Sequence, residues 1–297
     1  MGDAPLIFFH IPKTGGQTLG AIMLRQYPMG SVFDLWLQKP ETFSNFNALT
    51  SEEKKALRGL NGHMPFGFHT QLAPGAQYIT MLRDPIKRVL SEYAHLSQDP
   101  EDWGVWKPPK EALVSVDAYL DYLIDSNMTN GQTRLLAGDV DPDDRPPLRP
   151  LSPDALVRAK NNLSDHFAVV GQTERFEESV LLMKQVLGWT KHIYYMRRNV
   201  RAQFARNVSP SQTTLARIAE YTQDDAQLVE LGARLLDDQI RANGKALDVE
   251  LKKLRRVNRS LEGILRVAHA PAVRKLRSVP GIRQVWELAS GIVTRVA

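Results

Sequence analysis

Residues 8–18 read FFHIPKTGGQT, and this segment gives the first indication of how the 297-residue chain folds. It continues an apolar run over residues 6–9, which is typical of a buried strand. Pro12 ends the run and a glycine pair permits a tight turn. From Thr18 the pattern turns helical, with apolar residues at three-to-four spacing from Leu19 onward. A strand that enters a glycine turn and then a helix directs backbone N–H groups and the helix dipole toward an anion. The segment is therefore a candidate phosphate loop.

Charged and hydroxyl side chains complete this loop. Lys13 adds a positive charge, and Thr14 and Thr18 add hydroxyl donors. The phosphate loop of nucleoside triphosphatases has the order G-x-x-x-x-G-K-[ST], in which the lysine follows the last glycine. Here Lys13 precedes the glycine pair and Gln17 follows it, so the triphosphatase interpretation fails on residue order.

A second candidate for phosphate binding follows another apolar run, residues 78–82. Asp84 suits a helix cap and Pro85 suits a first helical turn, so a helix is predicted to begin here. Arg83 offers a bidentate fork to a phosphate, and Ser91, about two turns into the helix, offers a hydroxyl. The two segments together predict a nucleotide site for a ligand with phosphate groups at both ends.

Both segments resemble the donor site of sulfotransferases, in the branch that contains bacterial enzymes and the heparan sulfate 2-O-sulfotransferases. The first is close to that branch's Pro-Lys-Thr-Gly-Gly-x-Thr-Leu signature, with Gln17 where threonine is commoner. The second, Arg-Asp-Pro-x-x-Arg-x-x-Ser-x-Tyr, is similar to its 3′-phosphate site. The resemblance covers residues 5–190 and weakens toward residue 245.

The resemblance implies that the donor is 3′-phosphoadenosine-5′-phosphosulfate (PAPS), that the product is 3′,5′-adenosine bisphosphate (PAP), and that no metal is needed. It implies a 5′-phosphosulfate site made by consecutive loop residues. These are Lys13, Thr14, Gly15, Gly16, Gln17 and Thr18. It assigns the 3′-phosphate to Arg83 and Ser91. Thr173 is a further candidate nucleotide contact and is expected to cap the helix that follows it.

A histidine between the two motifs is the candidate catalytic base. His63 follows Gly62 near a predicted strand end, and histidine titrates near neutrality, which suits proton removal from an acceptor hydroxyl. In the 2-O-sulfotransferase relatives a Gly-His-Val/Met segment supplies the catalytic histidine, so the resemblance implies that role for His63. Lys13 is expected to neutralise charge on the leaving phosphate oxygen. His69 remains an alternative base.

Other polar segments near these motifs are expected to have structural or open roles. His10 should pack or hydrogen-bond at a strand end, and Glu92 should lie on a solvated helix face. Residues 129–138 have a turn-then-helix pattern that recurs in the family without an assignable role. The basic loop of residues 197–201 is expected to hold the 3′-phosphate, to bind an anionic acceptor or to be solvated.

Composition excludes several kinds of site. The chain has no cysteine, which excludes disulfides, thiolate nucleophiles and cysteine metal sites, and it has no H-E-x-x-H motif. It shows no signal region and no apolar run of about twenty residues. These features favour a cytoplasmic, bacterial enzyme, which is at most peripheral to the inner membrane surface.

Charge is concentrated at the C-terminus. The formal net charge is +5, yet residues 252–297 alone contain eleven Lys or Arg against two Glu, so the remainder is net negative. Apolar residues at helical spacing over 282–296 predict a basic amphipathic helix, which is typical of a membrane-surface or partner-binding segment. The alternative is a helix docked on the core or on another subunit. Nucleic acid is not expected as a partner, because no stacking platform or DNA-binding motif accompanies the charge.

Strands that alternate with helices predict an α/β fold, with a P-loop-like, mostly parallel sheet flanked by helices and a largely helical C-terminal part. Residues 1–245 are predicted to form the sulfotransferase α/β domain, and residues 246–297 the basic helical tail. The predicted reaction moves a sulfuryl group from PAPS to a hydroxyl of a carbohydrate or glycolipid by in-line attack. The alternatives are a P-loop-type kinase that uses ATP and a non-catalytic nucleotide-binding or membrane adaptor.

Overall fold

The computed structural model describes residues 4–195, 210–243 and 245–269. Its centre is a five-stranded parallel sheet with the strand order β2-β3-β1-β4-β5. The strands are β1 (Leu6–Phe9), β2 (Val32–Trp36), β3 (Gly59–His63), β4 (Gln77–Leu82) and β5 (Phe167–Gln172). The predicted α/β class with a parallel sheet is confirmed.

Helices connect the strands and cover both faces of the sheet. In chain order they are α1 (Gly16–Leu24), α2 (Glu41–Asn47), α3 (Ser51–Ala56), α4 (Pro85–Leu96), α5 (Val116–Asp125), α6 (Gly131–Ala137), α7 (Ala155–His166), α8 (Phe176–Val186), α9 (Gln212–Tyr221), α10 (Gln223–Asn243) and α11 (Lys245–His269). A 3-10 turn, Thr173–Arg175, joins β5 to α8. The largely helical C-terminal part agrees with the prediction.

The apolar sequence of β1 is explained by burial on both of its faces. Ile7 and Phe9 belong to one hydrophobic cluster, whereas Leu6 and Phe8 belong to a second. None of the four side chains is more than 2% exposed. A parallel strand covered on both faces has a continuous apolar sequence rather than an alternating one. Truncating Phe8 to alanine would cost about 3–5 kcal/mol of folding free energy.

The start of the basic tail forms α11, which packs on α8. Leu247 and Leu254 of α11 are each 4% exposed and join the second hydrophobic cluster. The amphipathic helix predicted over 282–296 and the basic loop 197–201 both lie outside the described residues. Within the three described ranges, every helix is too short or too polar to cross a bilayer.

Candidate active site

The segment between β1 and α1 forms a loop that suits an anion. Lys13 and Gly15 have φ angles of 68° and 83°, a region that glycine adopts freely and lysine rarely. No side chain caps α1, and its first turn contains no acidic residue. The positive end of the α1 dipole is therefore directed into the loop without a competing carboxylate.

The predicted donor-binding residues differ in accessibility. Gly15 and Gln17 are exposed, Lys13 and Thr18 are half-buried, and Thr14 is fully buried. The Thr14 hydroxyl, predicted as a donor to the ligand, instead donates to the Ile11 carbonyl oxygen at 2.8 Å. A buried hydroxyl needs an internal partner, so this side chain shapes the loop.

His10 fixes how closely α1 approaches the sheet. A Cβ atom on Gly16 would lie 1.8 Å from the His10 ring, so only glycine fits there. His10 is 7% exposed and stacks on Phe8 with ring centroids 5.3 Å apart. Burial, reinforced by the Lys13 charge, lowers the pKa of His10 to about 3. The ring is therefore neutral, and its predicted packing at a strand end is confirmed.

The loop after β4 lies beside the first loop because β4 is paired with β1. Arg83 Nη1 donates a hydrogen bond to the Lys13 carbonyl oxygen at 2.8 Å, which joins the two loops directly. The Asp84 carboxylate accepts from the Lys87 backbone N–H at 2.8 Å and caps α4, with Pro85 in the first turn. The predicted cap is confirmed.

Two adjacent residues about two turns into α4, Ser91 and Glu92, have different environments. Ser91 is half-buried on the helix. Glu92, expected on a solvated face, is 3% exposed, and its carboxylate lies 2.9 Å from Arg88 Nη1. That expectation was wrong, because an arginine four residues earlier neutralises the carboxylate and permits its burial. Burial raises the pKa of Glu92, while Arg88 and Lys13 oppose the shift.

Thr173 connects the two loops to β5. Its Oγ1 lies 2.8 Å from the Thr14 carbonyl oxygen and 3.0 Å from the Leu82 carbonyl oxygen. Neither the 3-10 turn Thr173–Arg175 nor α8 has a side-chain cap, so the predicted capping role was wrong. The hydroxyl donates to carbonyl groups distant in sequence rather than accepting from its own helix.

Gln132 is a site residue that the sequence did not identify. It is fully buried, its Oε1 accepts from Arg83 N at 3.1 Å, and its Nε2 donates to Arg83 O at 2.9 Å. Asp225 of α10 in turn accepts from the backbone N–H groups of Gln132 and Thr133. Residues 129–138, whose role the sequence left open, therefore hold the Arg83 backbone in place. The recurring pattern of this segment was the available signal.

His63 ends β3, the strand on the other side of β1, and its ring lies next to His10 with centroids 4.5 Å apart. Its Nδ1 is 2.8 Å from Gln38 Oε1, while its Nε2 is buried and meets no hydrogen-bonding partner among the described residues. With Oε1 as acceptor, Nδ1 carries the proton and Nε2 carries the lone pair. Burial, then His10 and Lys13, lower the pKa of His63 well below its ordinary value. Gln38 is a second residue that no motif indicated.

His69 lies elsewhere in the fold. Its Nδ1 is 3.0 Å from the Tyr78 hydroxyl, and its ring packs against His166 with centroids 4.8 Å apart. Tyr78 is near the start of β4 and His166 precedes β5, whereas both phosphate loops follow strand ends. In a parallel sheet these are opposite edges, so the structure does not bring His69 to the loops.

A cavity of about 510 Å³ opens beside the first loop, within the range of about 300–1,000 Å³ typical of small-molecule sites. Its walls include Gly15, Thr18, Thr173, Phe176, Tyr195 and Arg255. The rings of Phe176 and Tyr195 meet edge-to-face with centroids 5.1 Å apart and give the cavity an aromatic wall. In the part of the chain that the structure describes, no group of His, Asp or Glu is arranged to hold a metal ion.

Comparison with known proteins gives one informative match. The model of the Sulfotransferase family matches residues 2–236. Among solved structures, a mouse sulfotransferase, SULT7A1, complexed with PAP aligns at 13% identity and a TM-score of 0.37, covering 86% of this chain and 90% of its own. That structural similarity is too low to support an argument. A search of curated proteins finds no match.

Proposed function

The chain belongs to the sulfotransferase family and is a PAPS-dependent enzyme, and we propose that its two joined loops hold the donor while His63 serves as the base. Family membership speaks against the kinase and adaptor alternatives. The observation that carries the proposal is His63 Nε2, a buried and unpartnered ring nitrogen on the strand next to the first loop.

The first loop would bind the 5′-phosphosulfate. The backbone N–H groups of Gly15, Gly16 and Gln17 would face the phosphosulfate oxygens at the uncapped end of α1. The Thr18 N–H donates to the Gly15 carbonyl oxygen at 3.2 Å, so Thr18 would contribute its hydroxyl instead. Lys13 would neutralise the charge that develops on the phosphate oxygen as the bond to sulfur breaks. Fixed charges aimed at developing charge are commonly the largest catalytic contribution.

The second loop would bind the 3′-phosphate. Arg83 Nε is buried and meets no hydrogen-bonding partner in the described ranges, although Nη1 is used by Lys13 O. This guanidinium therefore retains a donor for a phosphate oxygen. Ser91, half-buried two turns into α4, would add a hydroxyl, and Thr173 would contact the nucleotide from the cavity wall.

The reaction would then be a direct in-line transfer. His63 Nε2 accepts the proton of the acceptor hydroxyl as its oxygen bonds to sulfur. The bond between sulfur and the 5′-phosphate oxygen breaks, and PAP leaves with the additional negative charge held by Lys13. Gln38 keeps the proton on Nδ1, so that the lone pair stays on Nε2, the nitrogen that would accept the proton of the acceptor.

The acceptor and the surroundings of the enzyme are further parts of the proposal. A carbohydrate or glycolipid hydroxyl is supported by the likeness of the first loop and of the Gly62-His63 segment to the 2-O-sulfotransferase branch. The boundary between residues 1–245 and 246–297 is supported by the start of α11 at Lys245. The charge of the tail supports contact with an anionic membrane surface on the cytoplasmic side or with another subunit.

The experiment replaces His63 and His69 separately with alanine. It measures PAP release from PAPS in the presence of a panel of alcohols and sugars. His63→Ala is expected to bind PAP like the wild type and to lose about 10²–10⁴-fold in turnover, the range for a general base. His69→Ala, the matched control, keeps its turnover. If His63→Ala remains active, the base is another group.

The pH profile gives an independent reading of the same base. The base must be unprotonated to act, and the pKa of His63 is lowered. The midpoint of the decrease of kcat/KM on the acid side should therefore lie below pH 6.5. Gln38→Glu places a carboxylate beside Nδ1, raises the pKa of His63 and should move that limb upward. An acid limb that Gln38→Glu leaves unmoved would remove Gln38 from this role.

A further inference from the structure

The helix α11 lies beyond the part of the chain that matches the family, yet it borders the cavity beside the first loop. The family match ends at residue 236, and α11 begins at Lys245. Leu247 and Leu254 anchor α11 in the second hydrophobic cluster, and the Asn258 side chain accepts from the Tyr195 backbone N–H at 3.2 Å. The helix is therefore fixed against the site by apolar and polar contacts.

One side chain of α11 reaches the cavity. Arg255 Nε donates to Glu177 Oε2 at 2.8 Å, and Glu177 Oε1 accepts from the Tyr195 hydroxyl at 3.3 Å. Glu177 is 12% exposed in its side chain, whereas Arg255 is 53% exposed. One carboxylate thus holds a guanidinium and an aromatic ring at the cavity wall. A guanidinium has five N–H donors in a fixed fork, and the bond to Glu177 uses the one on Nε.

The charges around the cavity show what Arg255 contributes there. Glu174, Glu177 and Glu178 all line the cavity, and they would repel a ligand with two phosphate groups. Glu178 pairs with Arg175, which also lines the cavity, and Glu174 lies 3.8 Å from Lys87. Glu177 lies 2.8 Å from Arg255. Arg255 therefore offsets a carboxylate and also presents a planar cation beside the aromatic wall. A nucleotide base stacks favourably on both kinds of surface.

We propose that α11 completes the donor site from outside the shared family domain, and that Arg255, positioned by Glu177, binds the adenosine end of PAPS in this cavity. The inference rests on the proposed function, because it takes the cavity beside the first loop as the place of the nucleoside. Donor affinity is then a joint property of the α/β domain and of the helix that follows it.

The test is calorimetric binding of PAP to the full chain, to three single variants and to one double variant. Arg255→Ala is expected to weaken PAP binding about tenfold, as the loss of one partly exposed cationic contact would. Arg256→Ala, an exposed neighbour on the same helix, is the matched control and should bind like the wild type. Arg255→Lys keeps the charge without the planar fork and should recover only part of the loss.

The double variant Arg255→Ala with Glu177→Gln separates donor contact from mere charge neutralisation. If Arg255 contacts the donor, the double variant stays about tenfold weak. Recovery of wild-type affinity would overturn the inference, as would an Arg255→Ala variant that binds PAP as tightly as Arg256→Ala. Melting temperatures of all variants show whether each remains folded. If Arg255→Ala melts at a lower temperature than the wild type, the PAP affinity of Arg255→Lys decides the test: a loss supports the inference, and wild-type affinity overturns it.

Failure of the proposed function has a different signature. If the wild type itself shows no preference for PAP over AMP, the assignment of the two loops is wrong. If the wild type prefers PAP while Arg255→Ala and Arg256→Ala bind equally well, only the role of α11 is wrong.

Discussion

The loops after β1 and β4 lie side by side at the same edge of the sheet, joined by the hydrogen bond from Arg83 to the Lys13 carbonyl oxygen. The helix after the first loop has no side-chain cap, so no capping side chain occupies its N-terminal backbone N–H groups. The helix after the second is capped by its own Asp84. Under the proposed function, backbone N–H groups of the first loop would bind their phosphate group, whereas a side chain would bind the phosphate group at the second loop.

This difference matches the two tasks of a PAPS site. The reacting phosphate changes its charge during transfer and benefits from a rigid backbone cradle with Lys13 beside it. The 3′-phosphate does not react and needs only to be held, for which one arginine fork is sufficient. Substitutions in the first loop should therefore affect turnover, and those in the second should affect donor recognition.

The largest effect is expected at Lys13. Lys13→Ala should lower turnover by about 10²–10³-fold, because it removes a charge that stabilises the leaving phosphate in the transition state. Lys55→Ala, an exposed lysine on α3, is the control and should remain at the wild-type rate. The measurement is steady-state PAP formation from PAPS. Near-normal turnover of Lys13→Ala would show that the first loop is not the reacting site.

Arg83→Ala should act on recognition instead. It is expected to weaken PAP binding by about 2–3 kcal/mol, the loss of a charge-assisted contact, while AMP binding changes little because AMP has no 3′-phosphate. Calorimetry with both nucleotides checks this. Because Arg83 also bonds to Lys13 O, an equal loss for PAP and AMP would mean that it acts through the first loop.

Two glycines of α1 test whether close packing against His10 holds the backbone of the first loop in position. Gly16→Ala places a Cβ 1.8 Å from the His10 ring, so the loop must shift, which costs about 1–3 kcal/mol of stability and weakens PAP binding. Gly20→Ala places its Cβ 3.5 Å from the nearest side-chain atom and should gain up to about 1 kcal/mol of helix stability. Thermal melting and PAP titration report both. Equal behaviour of the two variants would contradict the close packing at His10.

The smallest effect is expected at Asp84. Asp84→Ala removes only the cap of α4 and should cost about 1 kcal/mol of unfolding free energy while leaving PAP affinity unchanged. Denaturant unfolding and calorimetry measure the two quantities. A large loss of affinity would show that the second helix start binds the ligand through its backbone as the first does.

The sequence was informative where a function depends on local order along the chain. A buried strand, a glycine turn and a helix start form one continuous segment, so this loop and the left-handed backbone of Gly15 could be predicted. The need for glycine at position 16 comes from the His10 ring and could not. The Asp84-Pro85 helix start could be predicted for the same reason.

The sequence was uninformative where a role depends on partners distant along the chain. Thr173 was assigned to a cap, but its hydroxyl is shared between the carbonyl oxygens of Thr14 in the first loop and of Leu82 at the end of β4. Gln132 and Gln38 carry no motif, and only the fold brings them to Arg83 and His63. Long-range side-chain contacts leave no periodic pattern in a sequence, so these positioning roles could not be read from it.

The central claim is that two loops of different construction hold the two phosphate ends of one nucleotide. The most direct measurement is calorimetric titration of the wild-type chain with PAP, AMP and ATP under identical conditions. A 3′-phosphate contact of about 2–3 kcal/mol predicts that PAP binds roughly 30–150-fold more tightly than AMP, with ATP also weaker than PAP. Equal affinities for PAP and AMP, or tighter binding of ATP, would contradict the claim.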